Sequence, residues 1–172
     1  MHFGERSLAH LRVRCRNKFG MTDFDLLCTF TIMADVHSRE TRSYNMSRIK
    51  SKDTKPEMLV RKFLHKNGFR YRLHAKNLPG KPDIVLPKYK TVIFIHGCFW
   101  HGHEGCKYFV VPKTRTEWWS NKIEGNIKND EYKQCLLKNK GWRILIIYTC
   151  ELKNKVLNST LNNLATLLSS TI

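Results

Sequence analysis

The sequence predicts an α/β domain, a mixed β-sheet flanked by helices. Two observations predict it. Short runs at 84–86, 91–95 and 142–148 are apolar on successive residues, the pattern of strands covered on both faces. Segments with apolar residues at helical spacing precede, separate and follow those runs. The predicted order is helix, three strands, helix, strand, helix.

Each element has a local reason. Residues 1–33 lack periodicity and read as a leader, disordered or a mis-set start, since Met33 can itself begin translation. Residues 34–52 are polar and basic, with Arg39, Arg42, Arg48, Lys50 and Lys52, and read as an arm or short helix lying on phosphates. The folded domain is expected over 53–172. Asp53-Thr54-Lys55-Pro56-Glu57 is a helix start, with a capping residue, proline in the first turn and then an acid. Leu59, Val60, Phe63 and Leu64 give that helix its apolar face, and Gly68 ends it. Phe69, Tyr71 and Leu73 alternate with Arg70, Arg72 and His74, which predicts a strand. Pro79-Gly80 makes a turn, and a Pro-Lys turn joins the next two strands as a hairpin. A helix capped by Thr114 or Thr116 carries Trp118, Trp119, Ile123, Ile127 and Asp130, with a helical continuation to Gly141. After the strand at 142–148, Val156, Leu157, Leu161, Leu164, Leu167 and Leu168 form a closing amphipathic helix.

Composition bounds the partners. The chain has 172 residues, with 31 Lys plus Arg against 14 acids, a net charge of +17. Residues 1–32 hold five basic and three acidic side chains, so +15 lies beyond them. Such an excess suits a polyanion, and nucleic acid is its usual partner. No apolar run is long enough to span a membrane. Six cysteines stand at 15, 28, 98, 106, 135 and 150 without a disulfide-type framework. Three lie near histidines or strand ends, which fits thiol–metal chemistry in a reducing compartment.

The chemistry-bearing side chains concentrate in residues 80–106. Asp83 opens one hairpin strand and His96 closes the other, so the two side chains can meet. Asp83 is a hard oxygen donor suited to Mg²⁺, with a backbone carbonyl near Ile95 as a second oxygen. Phosphodiester cleavage also needs a base to activate water, and His96 or His101 can serve. Cys98, His103 and Cys106 fall within nine residues, and Cys150 ends a later strand. Three thiolates and one imidazole make a closed tetrahedral site of the kind structural zinc prefers, with His101 and Cys135 as the substitute ligands. The pairs Phe99-Trp100 and Trp118-Trp119 offer apolar wedges for a base stack, or core packing.

These residues resemble the very short patch repair (Vsr) DNA mismatch endonucleases. The resemblance rests on Thr41-Arg-Ser-Tyr-Asn-Met-Ser-Arg-Ile, Leu78-Pro-Gly-Lys-Pro-Asp, Val92-Ile-Phe-Ile-His-Gly-Cys-Phe-Trp-His-Gly-His, Thr114-Arg-Thr-Glu-Trp-Trp and Gly141-Trp-Arg-Ile-Leu, and covers about Ala34 to Cys150. It implies a restriction-endonuclease-like fold with a structural zinc site. It implies a Mg²⁺-dependent nick 5′ to the mismatched thymine of a T·G pair, the start of repair of deaminated 5-methylcytosine. The resemblance places the catalytic metal on Asp83, the histidine pair on His96 and His101 with His101 as general base, and a further acid on Glu57. An acid that binds metal-bound water falls on Asp130. Zinc ligands fall on Cys98, His103, Cys106 and Cys150, and intercalating aromatics on Phe99, Trp100 and Trp119. The restriction-enzyme acid-x-Lys element is absent after Ile93, and Glu104-Gly105 lengthen the His-to-Cys loop. The expected partner is double-stranded DNA with a T·G mismatch, met by a monomer in the bacterial cytoplasm at the nucleoid, with downstream repair proteins following. Two other readings compete: a restriction-type endonuclease cutting paired DNA, and a non-catalytic zinc-stabilised DNA-binding module.

Overall fold

The computed structural model describes residues 38–50 and 52–170; the predicted leader lies outside them. Helix α1 spans Arg39–Ser47, α2 Lys55–Lys66, α3 Thr116–Asn139 and α4 Asn154–Ser169. Strands are β1 Arg72–Leu73, β2 Ile84–Leu86, β3 Thr91–His96 and β4 Arg143–Tyr148, with a 3-10 turn at Pro87–Tyr89 closing the β2–β3 hairpin. The sheet order is β1-β2-β3-β4. The first two pairings are antiparallel and β3 runs parallel to β4. The sheet is therefore mixed, as the sequence predicts, because the long α3 crossover returns the chain in the same direction.

Strand alternation sorts the core into two layers. On one face Ile84, Leu86, Ile93, Leu145 and Ile147 pack with Val60 and Leu64 of α2 and Leu161, Leu164 and Leu168 of α4. On the other, Val85, Val92, Phe94 and Ile144 pack with Leu137 of α3. Both faces are covered, which is why β2 is apolar at every position. Each fully buried Leu or Ile contributes about 1.5–3 kcal/mol.

Two local expectations are corrected. The alternating stretch 69–74 pairs only at Arg72 and Leu73. Phe69 and Tyr71 turn into the α2 layer, and His74 adopts a left-handed backbone (φ 45°) that ends the ladder. Helix α3 is one 24-residue helix, and its N-cap is Arg115 (φ 56°), not Thr114 or Thr116. The Thr116 hydroxyl instead donates to the carbonyls of Pro112 and Lys113, and the Thr114 hydroxyl accepts from Arg42. Helix α2 starts as the sequence predicts, with Thr54 at its N-cap, Pro56 in its first turn and Glu57 closing a capping box.

Candidate active site and metal centre

Where β2 begins and β3 ends, on the α3 side of the sheet, lies a cavity of about 410 Å³. Glu57, Asp83, Ile95, His96, Trp100, His101 and Asp130 all line it. Six of these seven come from the predicted hydrolytic set, the seventh from the wedge aromatics. The pairing register explains how Asp83 enters. Ile84 faces Ile93, so continuation of the ladder sets Asp83 against Phe94 and Pro82 against Ile95. Asp83 therefore lies two residues short of His96 along β3, and the hairpin places them in one cavity without pairing them. Pro82 has no N–H to give to the Ile95 carbonyl, so the ladder leaves that oxygen without its usual donor. The Ile95 N–H instead donates to Asp83 Oδ2 at 2.8 Å. Burial raises the Asp83 carboxyl above its ordinary value, the Ile95 N–H opposes that, and Glu57 adds to it. A half-buried carboxylate beside a free carbonyl and a second acid suits a hard cation.

Helix α3 positions His101. Asp130 Oδ2 lies 2.6 Å from His101 Nδ1. One turn earlier, Asn126 Nδ2 donates to the Trp100 carbonyl at 3.0 Å. Gly102, at φ 57°, approaches the same helix so closely that an added Cβ would lie 2.5 Å from Ile127 Cδ1. His101 stacks on His96, ring centres 3.7 Å apart. His96 is buried, and burial first, then the charge of His101, lowers its pKa to about 4 despite Asp130. It is a neutral imidazole at neutral pH.

The predicted cage is assembled. Donor atoms of Cys98, His103, Cys106 and Cys150 all lie within 4.8 Å of one another. Cys150 Sγ is 3.3 Å from His103 Nδ1, and Cys98 Sγ is 3.4 Å from Thr149 Oγ1. Burial alone would raise the Cys98 thiol, but Thr149 and His103 hold it at about 7. Burial and then the neighbouring Cys98 and Cys106 push Cys150 up to about 12. Thiols crowded this closely cannot all ionise unless a cation sits among them, and three sulfurs with one nitrogen match a tetrahedral soft-metal set. His101 and Cys135 stand outside this group. Tyr148 joins the two centres: its ring stacks on His103 at 3.8 Å and meets His96 edge-on at 5.9 Å. The Thr149 N–H also donates to the His96 carbonyl at 2.9 Å.

Glu57 is committed locally. It is buried, accepts from the Asp53 N–H and the Thr54 hydroxyl, and pairs with Arg61 at 2.7 Å. Arg61, also buried, bonds Asp53 and lies 3.0 Å from His74 Nε2. Asp53, Glu57 and His74 could hold a cation by spacing, but the Arg61 guanidinium already fills that role. Sequence reasoning missed Arg61 and His74, whose meeting depends on the packing of β1 on α2.

The aromatics form one cluster. Phe99 meets Trp100 at 5.1 Å and Trp119 at 5.3 Å, and Trp100 meets Trp119 at 5.9 Å. All three are half-buried, while Trp118 is exposed under the Arg115 guanidinium. Helix α1 buries no residue, and Arg42 bonds Thr114 in the loop before α3 at 2.9 Å.

Residues 34–107 match the family model described as DNA mismatch endonuclease Vsr. The type II nicking enzyme V.XorIIP of Xanthomonas oryzae pv. oryzae is 49% identical over 122 residues, 71% of this chain and 89% of that protein. The chain belongs to the Vsr family. The Vsr relative V.NmeAIP, a type II nicking enzyme of Neisseria meningitidis, is 50% identical over 73% of this chain and 89% of its own length. The DNA mismatch endonuclease Vsr of Escherichia coli K12 is 45% identical over 72% of this chain and 78% of its own length. The Vsr model ends at residue 107, beyond which this chain supplies Asp130 and Cys150 to the two centres. Among the described residues no helix is long and apolar enough to cross a membrane.

Proposed function

We propose that this Vsr-family chain is a DNA endonuclease that nicks one strand of a duplex 5′ to the mismatched thymine of a T·G pair, beginning repair of deaminated 5-methylcytosine. The observation that carries this reading is the cavity shared by Asp83 and the His101–Asp130 pair. A Mg²⁺ ion held by the Asp83 carboxylate and the Ile95 carbonyl would supply charge neutralisation at the phosphate and acidify water. The Asp130 carboxylate fixes His101 with Nδ1 protonated, so Nε2 is the atom that accepts a proton from attacking water. Neutral His96 supports the ring from one side and adds no competing positive charge. Glu57 acts through its charge beside Asp83, and Arg61 balances it. Cys98, His103, Cys106 and Cys150 would hold a structural Zn²⁺ that ties the loop after β3 to the end of β4.

Phe99, Trp100 and Trp119 form the wedge that opens the stack at the mismatch, and a mismatched step costs least to unstack. The arm at 34–52 lies along the duplex, and residues 53–172 form a restriction-endonuclease-like domain acting as a monomer. The work is done on DNA in the bacterial cytoplasm, at the nucleoid, and later repair proteins take over the nick.

The test compares a T·G duplex with its C·G counterpart, with Mg²⁺ and with chelator. The expected result is Mg²⁺-dependent scission of the thymine strand alone. Asp83→Ala should abolish nicking while duplex binding survives; normal nicking by that variant would refute the assignment. Cleavage of both strands of C·G DNA would support the restriction-type reading instead, and binding without cleavage a DNA-binding module.

A further inference from the structure

The hydrolytic side chains leave one wall of the cavity unused. Helix α3 lines the cavity with Asn129, Asp130, Lys133 and Gln134, and Gln134 lies one turn beyond Asp130. Gln134 is only 8% exposed. Its carboxamide has no hydrogen-bond partner among the described residues. The fully enclosed side-chain atom without a partner is Arg61 Nε, so the Gln134 amide is not sealed away: it opens on the cavity. With no protein partner and an open side toward the cavity, the amide is free to bond a group that enters there.

Three lysines line the cavity, Lys50, Lys81 and Lys133, with Lys133 on α3 beside Gln134. Lys133 and Lys81 both line the cavity, and among the described residues neither has a carboxylate within salt-bridge distance. The acids nearby are already engaged: Asp83 by the Ile95 N–H, Asp130 by His101 and Glu57 by Arg61. Gly80, at φ 75°, lets the loop close on α3, where an added Cβ would lie 3.3 Å from Lys133 Cβ and 3.2 Å from Phe94 Cζ. Lys81 itself is held in the left-handed region at φ 49°. This side of the cavity thus offers Lys133, Lys81 and the Gln134 amide, while the carboxylates that line the same cavity have partners of their own.

We propose that Lys133 and Gln134 of α3 bind a non-scissile phosphate of the DNA strand, beside the linkage that is cut, with Lys81 facing the same backbone. This rests on the nicking function proposed above. Nε2 of Gln134 donates to a phosphate oxygen and Lys133 neutralises its charge. The pair fixes the register of the strand in the cavity without reading its bases.

A methylphosphonate scan tests this. The full chain, with Ca²⁺ in place of Mg²⁺ to prevent scission, binds T·G duplexes carrying one neutral linkage at successive positions. In the wild type one non-scissile linkage should weaken binding about tenfold when neutralised. In Lys133→Met and in Gln134→Leu the same neutral linkage should cost less than about twofold. Lys133→Met should also lower the slope of log affinity against log salt by about 0.9, and Gln134→Leu should leave it unchanged. Should either variant fold poorly by thermal melting, the other and Gln134→Asn carry the same cycle. Variants that keep the full tenfold penalty, from a wild type that binds and nicks, overturn the phosphate subsite alone. A wild type that binds no duplex overturns both the subsite and the nicking function.

Discussion

Asp130 acts through one pair of atoms, its Oδ2 and His101 Nδ1. Asp130→Asn keeps the shape and removes the charge that favours one tautomer. Nicking of a T·G duplex should fall by about 10²–10⁴-fold in single-turnover assays, with duplex binding within about twofold. Binding and nicking that fall together would show a merely structural contact. His96 gives a pH prediction. Its folded pKa is about 4 and its ordinary value 6.5. Below pH 6.5 the unfolded chain takes up a proton that the folded chain refuses, so stability falls as pH drops and the loss is complete near pH 4. The full effect is about 3 kcal/mol. Urea midpoints between pH 7 and pH 4.5 should fall less steeply in His96→Gln than in the wild type; parallel slopes would remove His96 as the source.

The loop after β3 is shaped by a few close approaches to α3. Gly102 combines a left-handed backbone with near contact to Ile127. Gly102→Ala should cost about 1–2 kcal/mol from the backbone alone. It should also lower nicking more than its melting temperature explains, because His101 is the preceding residue. A variant that nicks normally would mean that the loop relaxes freely. In the cage, Cys150→Ser should lower zinc content and melting temperature together. Full zinc occupancy in that variant would remove Cys150 from the ligand set. Much of this element was legible in sequence, because Cys98, His103 and Cys106 are local and Cys150 ends a readable strand. Asp83 was legible for the same reason, as a hairpin start. Arg61, Tyr148, Thr149 and Gln134 were not, because their roles arise where distant elements pack. The length of β1 was not legible either, since alternation shows which residues can pair and the partner strand decides how many do.

Across the whole molecule, the fold class and element order were readable because both sheet faces are covered and helices α2, α3 and α4 each turn apolar residues to the sheet. The cavity was not, because it exists only where the end of the hairpin meets the middle of α3, some thirty to fifty residues away in sequence. The positive charge is also a property of the whole: it favours any duplex, while in the proposed function the cavity and the aromatic cluster set where it reacts. One ring links these levels. Tyr148 lies flat on a cage imidazole and edge-on to His96. If the four donors hold zinc as proposed, a cell short of it would hold copies of the nuclease that are still compact but have fallen silent. Repair capacity would track metal supply, a dependence visible if nicking rises with added zinc at a temperature where the metal-free protein is still folded, and absent if nicking ignores zinc.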